Sequence, residues 1–289
     1  MSEILEKNNH SDVTSVNVPA MQIRWWNASM YEFKFPDGTT VLSDPFLPNK
    51  EINPEWARWD CGIYADALDN KIDYMILTHP HGDHIGTLNE IFDRFHPVLL
   101  CYEAFAYVLA KSLDIPFTSI IPMGYDQTLD FDSFKMTTRM CRHYPTPAGM
   151  KMPERPVNQY TVPGEYGSLF NTDHVFTTPN NFRVAIDAGL NEPNEENDMI
   201  PSGLNVLIRQ CGTTIKRKQP ELLAKQFMAT GASVLFPLHH EKCYEDDDLN
   251  AFVADVNRIC DEHGYYGRMI LPERAKWYTL SVGASLAEE

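Results

Sequence analysis

Apolar and polar positions alternate through residues 21–35: Ile23 and Trp25, then Tyr31, Phe33 and Phe35. A period of two marks strands with one buried face. Asn27-Ala28-Ser29 interrupts the alternation and divides it into two strands. Pro36-Asp37-Gly38 has the residues of a hairpin turn, and residues 39–42 resume a strand that ends at Ser43-Asp44-Pro45-Phe46. The chain therefore opens as a β-meander, with Trp25 and Trp26 expected in core or sheet packing. Residues 1–20 are polar and predict a flexible N-terminal tail.

A Pro- and Trp-containing loop follows at 47–70, with one short helical stretch around 64–68. The apolar run 72–77 reads as a buried strand. Leu88, Ile91, Phe92 and Phe95 recur at helical spacing. Residues 97–101 predict a strand, 104–113 a helix, 115–122 a strand, and 134–142 a strand that ends at His143. Residues 144–166 contain Pro145, Pro147, Pro153, Pro156 and Pro163 and fit no regular element. A long irregular stretch in a compact domain is typically functional or disordered; here it predicts an insertion over a site. The second half repeats the first in outline. Strands are expected at 168–177, 183–186, 204–208, 233–236, 268–271 and 277–282. Helices are expected at 220–230, ended by Gly231, and at 247–263, capped by Gly264. Two similar halves predict one domain over 21–289.

Bulk properties narrow the function. At 289 residues the chain can bury a sizeable core, and 43% of its residues are apolar. A net charge of −16 argues against a nucleic-acid binder, which carries a basic stripe, and against docking on an anionic membrane. The six cysteines are scattered without C-x-x-C spacing, as expected of free thiols in a reducing compartment. No apolar run is long enough to span a bilayer. The expectation is a cytoplasmic protein with a small-molecule substrate, no nucleic acid and no membrane; a homo-oligomer is compatible with the sequence.

The chemistry concentrates in Thr78-His79-Pro80-His81-Gly82-Asp83-His84, directly after the strand at 72–77. Three imidazoles and a carboxylate are donors for zinc, manganese or iron, and a turn alone does not require them. Other strands also end in donors: His143, Asp187 and His239. Residues beyond one end of a sheet can converge on one crevice in layered α/β folds.

The H-x-H-x-D-H motif from His79 to His84 resembles the metallo-β-lactamase-fold hydrolases. The opening that ends in Ser43-Asp44-Pro45-Phe46-Leu47 resembles the L-ascorbate-6-phosphate lactonase-like branch. The chain has Trp26-Asn27-Ala28-Ser29 where that branch often has Gly-His-Ala, and Ala188 and His240 where Thr and an aromatic residue are common. The resemblance implies a mixed α+β fold, the four-layer αββα sandwich. It implies two divalent transition metal ions (Zn, Mn or Fe), one held by His79, His81 and His143, the other by Asp83, His84 and His239. Asp187 would bridge them, and His240 is the neighbouring alternative to His239. The expected activity is hydrolysis of a small lactone, ester or amide, phosphorylated forms included, by a metal-bridging hydroxide, with Asp83 as proton acceptor. Tyr144, His240 and Lys242 lie close enough in sequence to touch substrate. A phosphodiesterase and a non-catalytic metal-binding protein are the alternatives on the same fold.

Overall fold

Trp25 and Trp26 are adjacent in sequence and buried in different cores. Successive side chains of a strand point to opposite faces, so a strand buried on both sides must lie between two layers. The same split separates Ile76 from Met75 and Leu77. The alternation seen in the sequence is therefore only half of the pattern; the positions between the apolar ones are buried as well.

The computed structural model describes residues 6–7, 14–141, 161, 163–166, 170–188, 201–240 and 246–286. One sheet consists of β1 (Glu6–Lys7), β2 (Thr14–Asn27), β3 (Met30–Lys34), β4 (Thr40–Ser43), β5 (Tyr74–Ile76), β6 (Val98–Tyr102) and β7 (Ile120–Met123), in that order. The other consists of β8 (Thr128–Asp130), β9 (Lys135–Cys141), β10 (Asn171–Thr177), β11 (Arg183–Asp187), β12 (Val206–Gln210), β13 (Val234–Leu238) and β14 (Arg268–Met269). The last strand, β15 (Trp277–Leu286), returns to the first sheet and pairs with β2.

The helices are α1 (Gly82–Ile85), α2 (Leu88–Phe95), α3 (Glu103–Ser112), α4 (Gly212–Lys216), α5 (Pro220–Thr230) and α6 (Asp246–Glu262). Leu88, Ile91 and Phe92 of α2 and Phe105 and Leu109 of α3 cover the outer face of the first sheet. Leu223 and Phe227 of α5 and Val256 and Ile259 of α6 cover the outer face of the second. Between the sheets, Phe33, Phe35, Phe134 and Phe176 interdigitate, with Phe35 and Phe134 stacked at 3.8 Å. Such ring pairs add about 0.5–1.5 kcal/mol each beyond the area they bury. The result is the expected αββα sandwich.

One boundary differs from expectation. Residues 14–20, assigned from sequence to a flexible tail, are the first half of β2 and pair with β15 as far as Leu286. Val16, Val18 and Ala20 do alternate with Ser15, Asn17 and Pro19, and the pairing shifts register between Leu280 and Ser281, next to Pro19. A bulge is one of the few places a strand tolerates proline.

The strands that matter for the site run parallel: β4 through β7 in one sheet and β11 through β14 in the other. Asp44 follows β4, Leu77 to His84 follow β5, Asp187 ends β11, Arg209 lies near the end of β12, and His239 follows β13. Parallel strands bring their C-terminal ends to one edge, where α/β folds place their ligands.

Candidate metal centre

Leu77 continues β5 by donating its N–H to the Leu100 carbonyl, and the Thr78 N–H then leaves the sheet for Asp44 Oδ1 at 2.8 Å. This turns the chain, and His79 to His84 wrap into the single turn of α1, closed by His84 N–H to the His81 carbonyl at 2.9 Å. Gly82 allows close approach in this turn: a Cβ there would stand 2.8 Å from the Trp56 ring.

The motif residues converge in two adjoining sets. His79 Nε2 lies 3.0 Å from His81 Nδ1. His84 Nε2 lies 3.1 Å from His239 Nε2, and the donor atoms of Asp83, His84 and His239 all lie within 4.8 Å of one another. The His79 and His84 ring centroids are 3.8 Å apart, so the sets share a wall. His79, His84 and His239 are buried, and His81 and Asp83 are half-buried.

The far side of the imidazoles is fixed by oxygen. His84 Nδ1 is 2.9 Å from Asp44 Oδ2, so it carries the proton and donates. The Thr78 hydroxyl donates its one hydrogen to Asp44 Oδ2 at 2.7 Å, leaving its lone pairs to accept from His79 Nδ1–H at 3.1 Å. With both Nδ1 atoms protonated, both Nε2 atoms present lone pairs to the cluster. A carboxylate behind a histidine is the arrangement that sets the tautomer of metal-binding imidazole. Neutral nitrogens backed in this way, together with the Asp83 carboxylate, fit a divalent transition ion.

Sequence reasoning missed Asp44 as a functional residue. Asp44, buried at 0% exposure, holds the left-handed region at φ 41°, and His239 does so at φ 52°. Left-handed backbone in non-glycine residues costs roughly 1–3 kcal/mol and gathers at functional sites. Trp59 was also missed: its ring stands edge-on to His239 at 6.0 Å, and Phe46 packs edge-on against both Trp56 and Trp59. The Pro/Trp loop is thus the wall behind His239.

The left-handed turn at His239 also separates it from His240. His239 enters the donor cluster. His240 points away: its Nδ1–H donates to the Pro237 carbonyl at 3.1 Å and its ring lies 4.5 Å from that of Trp25. Burial, with Arg274 nearby, pushes its pKa down to about 4. His240 is thus a buried, neutral imidazole packed on Trp25, across the left-handed turn from the donor cluster.

Asp187 sits where the strand end predicted, but it does not join the three converging donors. Its Oδ2 accepts from Arg209 Nη1 on the paired position of β12, and both side chains are 2% exposed. Asp173 lies beside it. Burial, then the Asp187 charge, pushes the Asp173 carboxyl well above the usual range, and burial followed by the two aspartates does the same to the Cys141 thiol. The expected bridging carboxylate is therefore shared with a guanidinium. His143, Tyr144 and Lys242 lie outside the described residues, as does most of the proline-rich segment 144–166; Pro163–Tyr166 forms a short 3-10 turn.

A sequence model of the Metallo-beta-lactamase superfamily matches residues 23–176. The chain belongs to that superfamily. The match begins in β2 and ends in β10, so it contains the whole His79–His84 loop. A relative named UPF0173 metal-dependent hydrolase, from Thermodesulfovibrio yellowstonii, is 39% identical over 112 residues, covering 39% of this chain and 38% of that protein. The chain spans between 34% and 60% of the length of the curated relatives it matches. Among solved structures, a possible metal-dependent hydrolase from Veillonella parvula superposes over 91% of this chain and 100% of that one, with a TM-score of 0.63 at 15% identity. An isothiocyanate hydrolase from Delia radicum gut bacteria superposes over 91% and 100%, with a TM-score of 0.58 at 16% identity. At such identity these structures establish the superfamily fold alone. No helix among the described residues is long and apolar enough to cross a membrane.

Proposed function

We propose that this chain is a metal-dependent hydrolase of a small lactone, ester or amide, phosphorylated forms included, and that it holds two divalent transition ions. One observation carries the reading. His84 and His239 aim Nε2 atoms at each other across 3.1 Å, with Asp83 alongside and the His84 tautomer set by Asp44. Two buried imidazole nitrogens at that spacing, with a carboxylate within 4.8 Å, are a ligand set for a divalent ion.

Asp83, His84 and His239 would hold one ion. His79 and His81, with His143, would hold the other, and Asp187 would be the shared carboxylate beside Arg209. Bound divalent ions supply Lewis acidity and bring the pKa of a coordinated water towards about 7. The chain's own residues do the remaining work. Asp83, half-buried at the open side, accepts the proton of the attacking water at a carboxylate oxygen. Asp44 and Thr78 hold protons at the Nδ1 atoms of His84 and His79 and so turn the Nε2 lone pairs to the site. Trp59 and Phe46 close the rear of the site to water. The net charge of −16 favours a small substrate over a polyanion. The relatives' name, metal-dependent hydrolase, supports the reaction class.

The test is metal analysis of protein purified without added metal, paired with a panel of lactones, esters and amides against bis-p-nitrophenyl phosphate. The expected result is two ions per chain and turnover on the carbonyl panel that His79→Ala removes. Protein that binds no transition metal, or hydrolysis untouched by His79→Ala, overturns the reading.

A further inference from the structure

The turn between β2 and β3 reaches into the donor cluster. Ser29 is completely buried, and its Oγ lies 2.8 Å from His239 Nε2, the same atom that faces His84 Nε2 at 3.1 Å. Four elements fasten it there. The Ala28 carbonyl accepts from Trp25 Nε1 at 3.2 Å and from the His239 N–H at 3.4 Å. The Ser29 carbonyl accepts from Ser43 Oγ at 2.9 Å, and that oxygen accepts from the Tyr31 N–H at 3.0 Å. Ala28 holds φ 44° to make the turn. An alanine in the left-handed region costs about 1–2 kcal/mol, and its methyl group packs in the buried cluster of Phe46 and Trp59.

Adjacent donors on one six-coordinate ion, each about 2.1 Å from it, stand about 3.0 Å apart. The separations from His239 Nε2 to Ser29 Oγ and to His84 Nε2 are close to that spacing. We propose that Ser29 is a further protein donor, beside the shared Asp187, to the ion held by Asp83, His84 and His239. Its neutral, hard oxygen shifts that position towards manganese or iron relative to an all-imidazole site. The proposal rests on the metal-dependent reading above and goes beyond it in naming a ligand outside the His79–His84 motif and the strand-end donors.

The test uses the full chain with two substitutions and reads metal binding rather than turnover. Titrated with manganese and with zinc, Ser29→Ala is expected to keep one tight ion and to bind the other about 10–100-fold more weakly, the range seen when a metal's supporting group is removed. The loss should be larger for manganese. Ser29→Cys loaded with cobalt is expected to show a thiolate-to-cobalt charge-transfer band that the wild-type chain, with its own cysteines, lacks. Circular dichroism confirms the fold of both. A cobalt-loaded Ser29→Cys without the band overturns the proposal, because the hydroxyl then only supports the His239 ring. Unchanged affinities in Ser29→Ala overturn it too. In either case a wild type that still binds two ions leaves the hydrolase reading standing; a wild type that binds none overturns both.

Discussion

The two sheets supply the centre in opposite ways. The first contributes the consecutive residues His79 to His84, with the Nδ1 atoms of His79 and His84 satisfied by Thr78 and Asp44. The second brings up single residues from separate strand ends: His239, which joins the cluster through a left-handed backbone, and Asp187, held beside it in a buried pair with Arg209 next to Asp173. The first side is a preassembled loop whose charges are few and hydrogen-bonded. The second crowds two acids and needs a guanidinium to hold them. A preorganised side should fail by losing metal, and a crowded side by losing stability.

The sharpest way to break the first side is to remove a donor from its centre. His84→Ala takes away the nitrogen that faces His239 and is expected to drop the bound metal from two ions to one. Hydrolysis should fall at least on the order of 10³-fold, about 4 kcal/mol of barrier, with little change in unfolding. Metal analysis alongside kinetics on the same sample checks this. A variant that keeps both ions would show that His84 only packs against its neighbours.

The second side is broken through Arg209. Arg209→Leu leaves the buried Asp187 carboxylate without its cation, which costs on the order of 3 kcal/mol. Urea unfolding should show that loss, and Asp187→Asn in the same chain should recover much of it, because the uncompensated charge is gone. A double variant no more stable than Arg209→Leu would mean that Arg209 acts through packing.

This contrast also explains what could be read from the sequence. The His79–His84 loop was legible because its donors are contiguous and follow an apolar strand. Asp187 and His239 were legible as strand ends, since parallel strands deliver their last residues to one edge. The choice between His239 and His240 depended on φ at His239, a backbone property that residue identity does not reveal. Asp44 and Ser29 are ordinary turn residues in sequence, and only the meeting of β2, β3, β4 and β13 gives them a role. The pairing of Asp187 with Arg209 depended on the register of β11 against β12, which apolar patterning leaves open. The first half of β2 was hidden by its polar composition, although its alternation was present.

A milder change on the first side tests whether preorganisation matters apart from the donors. Asp44→Asn leaves every nitrogen in place but replaces the carboxylate behind His84 Nδ1. Metal affinity is expected to fall about 10–100-fold, and activity should return when the metal concentration is raised. Competition against a chromogenic chelator measures the affinity. An unchanged affinity would assign Asp44 to holding the loop alone.

The smallest effect concerns protons, and its sign separates the two kinds of buried group on the second side. Burial lowers the pKa of His174, whose Nε2–H donates to the Leu77 carbonyl at 3.2 Å, and of His240, to about 4. An unfolded histidine takes up its proton near 6.5. As pH falls from 6.5 towards 4, the unfolded chain binds protons that these native imidazoles refuse, so each withdraws stability, at most about 1.4 kcal/mol per pH unit. Above 6.5 the contribution is constant. Asp173, with its carboxyl pushed up, works against this: the native state holds a proton that an unfolded aspartate releases, so acid favours folding there. The absolute profile mixes both signs, and the informative quantity is a difference between variants. His240→Gln keeps a donor for the Pro237 carbonyl but cannot titrate. In metal-free urea unfolding, its stability should decline less steeply than the wild type's between pH 6.5 and 4, and the two curves should run parallel above pH 7. Parallel curves throughout would mean that His240 takes up its proton equally in the native and unfolded chains, contrary to its burial against Trp25.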